Sequence, residues 1–257
     1  MEESVVRLEE LSKSYGAHRA VDRLSFEVRR GELVGFLGPN GAGKTTTLRM
    51  LAGLLQPSGG RARVAGYDVW RQPLEAKQRL GYVPDVPVLY EKLTGREFLA
   101  FVGDLWRVPP AVAHRRAAEL LELFALTGQA DDPVQSYSRG MRQKLAIAGA
   151  LLHDPEVLVL DEPTIGLDPR SARLLKNVLR SFCARGGGVL MSTHVLEIAQ
   201  HLCDRVVILQ NGRLLAQGRP EELARGADRS LEDVFIELTG GEEVADLVRL
   251  LGEEERG

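Results

Sequence analysis

Apolar positions along this chain follow two periods, and the switches between them mark out the elements. V-V-R-L at 5–8 and L-S-F-E-V at 24–28 read as short strands. The run L-V-G-F-L-G at 33–38 is continuously apolar, as a strand buried on both faces of a parallel sheet must be. Residues 61–69 again read as a strand, as does the shorter run Leu80, Tyr82, Val83. From 97 to 126 the period lengthens to that of helices. Two helical patterns are separated there by Val108-Pro109-Pro110. The second has Ala117, Leu120, Leu121 and Phe124 on one face, with Gly128 as its stop.

A second buried-strand run, V-L-V-L at 157–160, ends in Asp161-Glu162. Asp168-Pro169 then opens a helix as N-cap and first-turn proline. A strand at 188–192, a helix, a strand at 206–209 and the hairpin turn Asn211-Gly212 into 213–216 complete the series. Strand and helix alternating across short loops predict a mainly parallel α/β sheet. Residues 89–153 show no strand pattern and read as a helical insertion within a body spanning 4–225. From Ser230, capped through Asp233, an acidic amphipathic helical tail fills 226–257.

Composition narrows the possibilities. The chain has 257 residues, 44% of them hydrophobic, ample for a sizeable core. A net charge of −3 argues against a polyanion-binding surface spread over the protein, and no nucleic-acid partner is expected. The longest uncharged apolar run, 145–152, is too short to cross a bilayer, and the acidic start M-E-E-S-V-V-R lacks the apolar core of a signal peptide. The chain reads as soluble and cytoplasmic. Cys183 and Cys203 form no C-x-x-C pair and read as reduced core thiols.

The chemistry lies in a few short stretches. G-P-N-G-A-G-K-T at 38–45 fits G-x-x-x-x-G-K-[ST], with a buried strand before it and a helical pattern after it. Such a loop, here Gly38, Pro39, Asn40, Gly41, Ala42, Gly43, Lys44, Thr45 and the following Thr46, turns successive N–H groups toward phosphate oxygens at a helix N-terminus. Lys44 then reaches the β- and γ-phosphates, and the Thr45 hydroxyl can ligate Mg²⁺. An acid at the carboxyl end of a buried strand is expected beside the phosphate loop of a neighbouring strand. Asp161 would hold Mg²⁺ there through water, and Glu162 would orient and deprotonate the attacking water.

With these motifs in place the chain resembles the ATP-binding cassette (ABC) ATPases over about residues 4–220. S-R-G-M-R-Q at 138–143 is similar to that family's signature, usually L-S-G-G-Q, with Arg139 for the usual glycine and Met141 for the usual glutamine. The resemblance implies a P-loop NTPase (RecA-like) core with a mainly parallel sheet, an antiparallel β subdomain and an inserted α-helical subdomain. It implies ATP and Mg²⁺ as ligands, Tyr15 of K-S-Y-G stacked on adenine, and His194 of S-T-H against the γ-phosphate. It further implies that Ser138 and Gly140 bind ATP held by a second cassette, and that Asp168 of G-L-D-P lies in the loop crossing that interface. The other histidines, His18, His114, His153 and His201, read as surface or packing residues.

G-Y-V-P-D-V-P at 81–87, V-L-Y-E-K-L-T-G-R-E-F-L, the 138–143 signature and L-E-D-V-F-I-E-L-T-G together look like the ATPase subunits of bacterial exporters whose transmembrane permease is a separate chain. The subunit is then expected on the inner face of the membrane, held there by that permease. An importer ATPase is the runner-up, and a soluble, non-transport cassette the more distant alternative. Asp85 stands where most of the family has a glutamine that reaches Mg²⁺ and the attacking water. The carboxylate is shorter, negative and acceptor-only, so it can ligate Mg²⁺ but cannot donate to a phosphate oxygen.

Overall fold

The computed structural model describes residues 3–224 and 230–240. It opens with two long antiparallel strands, β1 (Ser4–Tyr15) and β2 (His18–Arg29). The short strands expected at 5–8 and 24–28 are therefore segments of one hairpin of two twelve-residue strands. Its register shifts between Leu8 and Leu11 and again between Leu11 and Lys13, so bulges hide the strand period in the sequence. The fully buried β3 (Leu33–Leu37) follows and feeds α1 (Lys44–Leu51). Where a single strand was expected over 61–69, the chain forms β4 (Gly59–Val64) and β5 (Tyr67–Asp68). Ala65 and Gly66, at φ 46° and 85°, reverse its direction.

Next come α2 (Pro73–Gln78), β6 (Leu80–Val83) and the helical insertion of α3 (Gly95–Leu105), α4 (Pro110–Leu123) and α5 (Arg139–Leu152). Thr94 caps α3 reciprocally with Glu97. α4 ends at Leu123 rather than running to Gly128. Ala125 turns left-handed, its N–H donates to Glu122, and the N–H of the buried Leu126 donates to Leu121. That closure satisfies the last carbonyls without a glycine. The remaining elements are β7 (Val157–Asp161), α6 (Pro169–Ala184), β8 (Gly188–Ser192), α7 (Leu196–Leu202), β9 (Arg205–Gln210), β10 (Arg213–Gly218), α8 (Pro220–Leu223) and α9 (Leu231–Thr239).

The strands form two sheets. An antiparallel one has the order β2-β1-β4-β5; the other, β10-β9-β3-β8-β7-β6, is parallel except for β10. β3 is central, and its side chains alternate between two cores. Leu33 and Leu37 face the cluster shared with the helical insertion, α6 and α7; Val34 and Phe36 face the one shared with α1 and the antiparallel sheet. Phe36 there meets Phe26 with ring centroids 5.4 Å apart. Each fully buried aliphatic or aromatic side chain contributes about 1.5–3 kcal/mol, so β3 anchors both layers. A mainly parallel core, an antiparallel sheet and a helical insertion are thus all present, as expected.

Cys183 and Cys203 are buried free thiols, and burial pushes both up to about 12. α9 begins with the capping box expected at Ser230 and Asp233, buries Leu231 in the core, and accepts a hydrogen bond from Gln210 at the Thr239 carbonyl (2.7 Å). The rest of the expected tail, 226–229 and 241–257, lies outside the described residues. No helix among the described residues is long and apolar enough to cross a membrane.

Candidate active site

The loop between β3 and α1 curls because its glycines adopt φ values closed to other residues. Gly43 is the tightest, at φ 101°, and a Cβ there would lie 2.5 Å from the Ala20 carbonyl oxygen. The same carbonyl closes on Gly212 of the β9–β10 turn, whose N–H donates to the carbonyl of Ala42 (3.0 Å). Three segments remote in sequence therefore fix this loop. Lys44 opens α1 and folds back over the loop, its ammonium donating to the carbonyls of Gly38 (2.5 Å) and Pro39 (3.2 Å). Burial pushes the Lys44 ammonium down from its ordinary value, and the carboxylates of Glu162 and Asp161 partly oppose that shift.

The acids do not sit on the strand adjoining the loop, as the sequence reading had it. β8 lies between β3 and β7, and its last residue, Ser192, is the register partner of Phe36 on one side and Asp161 on the other. The Ser192 hydroxyl donates to Asp161 Oδ1 (2.5 Å) and accepts the Glu162 N–H (3.0 Å). Sequence inspection missed Ser192; its one signal was its place at the end of an apolar strand, just before Thr193-His194.

Glu162 leaves β7 at φ 49°, a left-handed conformation costly for a residue with a side chain. Its backbone is held by Ser192. Its carboxylate Oε2 lies 3.0 Å from His194 Nδ1 and 3.4 Å from the His194 N–H. The acid side chain is 13% exposed and the imidazole 56%, so the pair forms a wall of the cleft with the histidine at its mouth.

The cleft has a volume of about 490 Å³ and gathers most of the residues singled out from the sequence. Tyr15, with Lys13 Nζ 5.2 Å above its ring, residues 40–46, and Asp85, Asp161, Glu162 and His194 all line it. Asp85 is exposed and its carboxylate accepts the Val86 N–H (2.9 Å). Gly38 and Pro39 take part only through the carbonyls that hold Lys44.

Ser138, Gly140 and Asp168 lie outside this cleft. Ser138 caps α5 by accepting the Met141 N–H (3.3 Å), and Asp168 caps α6 by accepting from Arg170 and Ser171 (2.9 Å each). Four cleft residues had not been assigned to it from the sequence: His18, Ala20, Ile165 and Arg139. His18, read as surface or packing, lines the cleft beside Tyr15 across the β1–β2 turn. His153 is a packing residue, stacked on Trp106.

The donor set suits a hard divalent cation shared with a polyphosphate. Asp161 is 1% exposed, yet its Oδ2 has no hydrogen-bond partner among the described residues. A buried anionic oxygen left unpaired is costly, and a cation would satisfy it. No group of three His, Cys, Asp or Glu side chains among the described residues could hold a metal alone. Mg²⁺ needs none, being bound ordinarily by one or two carboxylates plus substrate phosphates.

Comparison with known proteins agrees with this geometry. The model of the ABC transporter family matches residues 21–165, over half of the 257. A Nod factor export ATP-binding protein I of Ralstonia nicotianae is 45% identical over 85% of this chain and 68% of its own length. The linearmycin resistance ATP-binding protein LnrL of Bacillus subtilis is 37% identical over 91% of this chain and 75% of its own. Among solved structures, an ATP-binding subunit of an ABC transporter superposes with a TM-score of 0.86 at 35% identity, covering 91% of this chain and 99% of that one. The chain belongs to the ABC transporter family and is one of its ATP-hydrolysing cassettes.

Proposed function

We propose that this chain, paired with a second cassette, drives export of a solute through a separate transmembrane permease by binding and hydrolysing ATP with Mg²⁺. The observation that carries the reading is the Glu162–His194 contact, 3.0 Å, in a cleft that the phosphate loop also lines. Tyr15 offers a ring for the adenine, and residues 40–46 cradle the phosphates. Lys44 needs only to swing from the Gly38 and Pro39 carbonyls to meet phosphate oxygens, which are stronger acceptors. Glu162, fixed by Ser192 and His194, orients the attacking water and takes its proton. His194 steadies that carboxylate and faces the terminal phosphate. Thr45, Asp161 and Asp85 would hold Mg²⁺, which when bound neutralises charge developing on the phosphates.

Ser138 and Gly140, at the start of α5 but outside their own cleft, are suited to an ATP held by the second cassette, with Asp168 at the same interface. The permease reading is supported by an apolar groove of about 390 Å³ beside the helical insertion, lined by Pro84, Pro87, Leu89 and Trp106 and rimmed by Val88, which is 90% exposed. Exposed apolar surface of this kind marks an interaction site. Through such a permease the cassette would sit peripherally on the inner membrane face. The export direction is supported by relatives named for export and for drug resistance.

The test is to produce the chain with a polytopic permease in membrane vesicles and measure phosphate release and solute movement. Glu162→Gln should keep ATP binding, trap paired cassettes and stop both readouts. Phosphate release at the parental rate would remove Glu162 from the role of base.

A further inference from the structure

Arg139 is the unassigned cation of the cleft. It is the first residue of α5, exposed, and its side chain has no hydrogen bond or ion pair among the described residues. Its aliphatic stem lies across Gly166: a Cβ added to Gly166 would meet Arg139 Cδ at 2.9 Å and Cγ and Nε at 3.1 Å. Gly166 has φ 78°, so the loop after Glu162 presents a bare backbone face for the stem to cross. Gly140 completes the contact, with Gly166 O 3.0 Å from where its own Cβ would stand. The side chain so guided lines the same cleft as Lys44, Glu162 and His194, in its own chain.

Charge makes the placement meaningful. Asp85, Asp161 and Glu162 bring three carboxylates into the cleft that Tyr15 and the phosphate loop also line. A polyphosphate with its base on Tyr15 and its phosphates on the loop would bring its terminal phosphate to Lys44, whose ammonium feels the Glu162 and Asp161 carboxylates. The cations lining the cleft are Lys44, drawn into the loop carbonyls, and Arg139. A guanidinium offers five donors in a planar fork matched to phosphate oxygens.

We propose that Arg139 contacts the terminal phosphate of a nucleotide seated in the same chain's cleft, so that a single cassette distinguishes ATP from ADP before it pairs. The inference rests on ATP occupying this cleft. It differs from the role proposed for Ser138 and Gly140, which act across the pair.

The test uses the full chain at concentrations where it sediments as a monomer, titrated calorimetrically with MgATP and with MgADP. Arg139→Gln keeps part of the stem over Gly166 and removes the charge. It should weaken ATP roughly five- to twentyfold while leaving ADP within about twofold, the scale of one charged hydrogen bond at an exposed site. Arg139→Lys should restore part of the loss. Lys44→Ala separates the two readings. If it loses both nucleotides while Arg139→Gln binds ATP like the parent, the Arg139 contact is overturned and the cleft stands. If Lys44→Ala binds both normally, the cleft assignment fails and the contact with it. A loss in Arg139→Gln seen only where the chain pairs would place the arginine across the interface and overturn the contact within one chain.

Discussion

The hydroxyl of Ser192 lies 2.5 Å from Oδ1 of Asp161, and the two residues are register partners at the ends of adjacent parallel strands. The same oxygen accepts the Glu162 N–H, so one side chain positions two consecutive acids. Ser192→Ala strips the donor from a carboxylate that is 1% exposed and leaves both of its oxygens without a partner among the described residues. The expected cost is about 1–3 kcal/mol of stability, read as a lower denaturant midpoint. Phosphate release should also need several-fold more Mg²⁺. Unchanged Mg²⁺ dependence would show that the backbone alone holds Asp161.

Asp85 tests whether the joint between β6 and the helical insertion takes part in the chemistry. Asp85→Asn keeps an acceptor at the same reach and removes the charge. At surface dielectric a nearby charge pair is worth up to about 4 kcal/mol, so even a fraction of it gives a several-fold weaker Mg²⁺ requirement curve. If Mg²⁺ dependence and permease-stimulated turnover both stay at the parental level, the segment between Pro84 and Pro87 is a stiff connector and no more.

His153 predicts an acid-sensitive fold. Its ring is stacked on Trp106 at 4.4 Å, its Nε2–H donates to the Leu80 carbonyl (3.2 Å), and burial pushes its pKa from 6.5 down to about 4. The unfolded chain takes up the proton first as pH falls. This contribution to stability is therefore complete above pH 6.5, declines as pH falls toward 4, and is gone below that. The loss is about 3 kcal/mol at most. Urea midpoints at pH 7, 5 and 4 should fall more steeply for the parent than for His153→Gln; parallel slopes would assign the acid sensitivity elsewhere.

Gly43→Ala should fail for a reason outside the loop itself. The new Cβ would meet the Ala20 oxygen at 2.5 Å, and alanine is strained at φ 101°. Strain of this kind costs roughly 1–3 kcal/mol, and relief requires the β1–β2 hairpin or the phosphate loop to shift. Thermal unfolding should move down and nucleotide affinity fall together. A variant that melts lower but binds normally would show that the hairpin yields and the loop does not.

Much of the site is local along the chain and could be read without coordinates. A glycine pattern before Lys44-Thr45, an apolar run ending in two acids, and the caps at Thr94, Ser138, Asp168 and Ser230 each depend on residues a few positions apart. Backbone conformation and hydrogen bonding at that range follow from residue type. The same locality explains the misread elements. Bulges in β1 and the Ala65-Gly66 turn break the period from which strands are inferred, and α4 stops where Leu126 can be buried rather than at the next glycine.

Pairing between distant segments settled the rest. Strand order inserted β8 between the phosphate loop and the acids and so made Ser192 part of the site. The junction of Ala20, Gly43 and Gly212 joins segments from both ends of the described chain. Gly166 carried the Arg139 stem into a cleft built mostly from other elements. None of these contacts leaves a periodic trace in the sequence. Each arises from which strand lies beside which and how closely two backbones approach, and those distances are set by packing across the whole core.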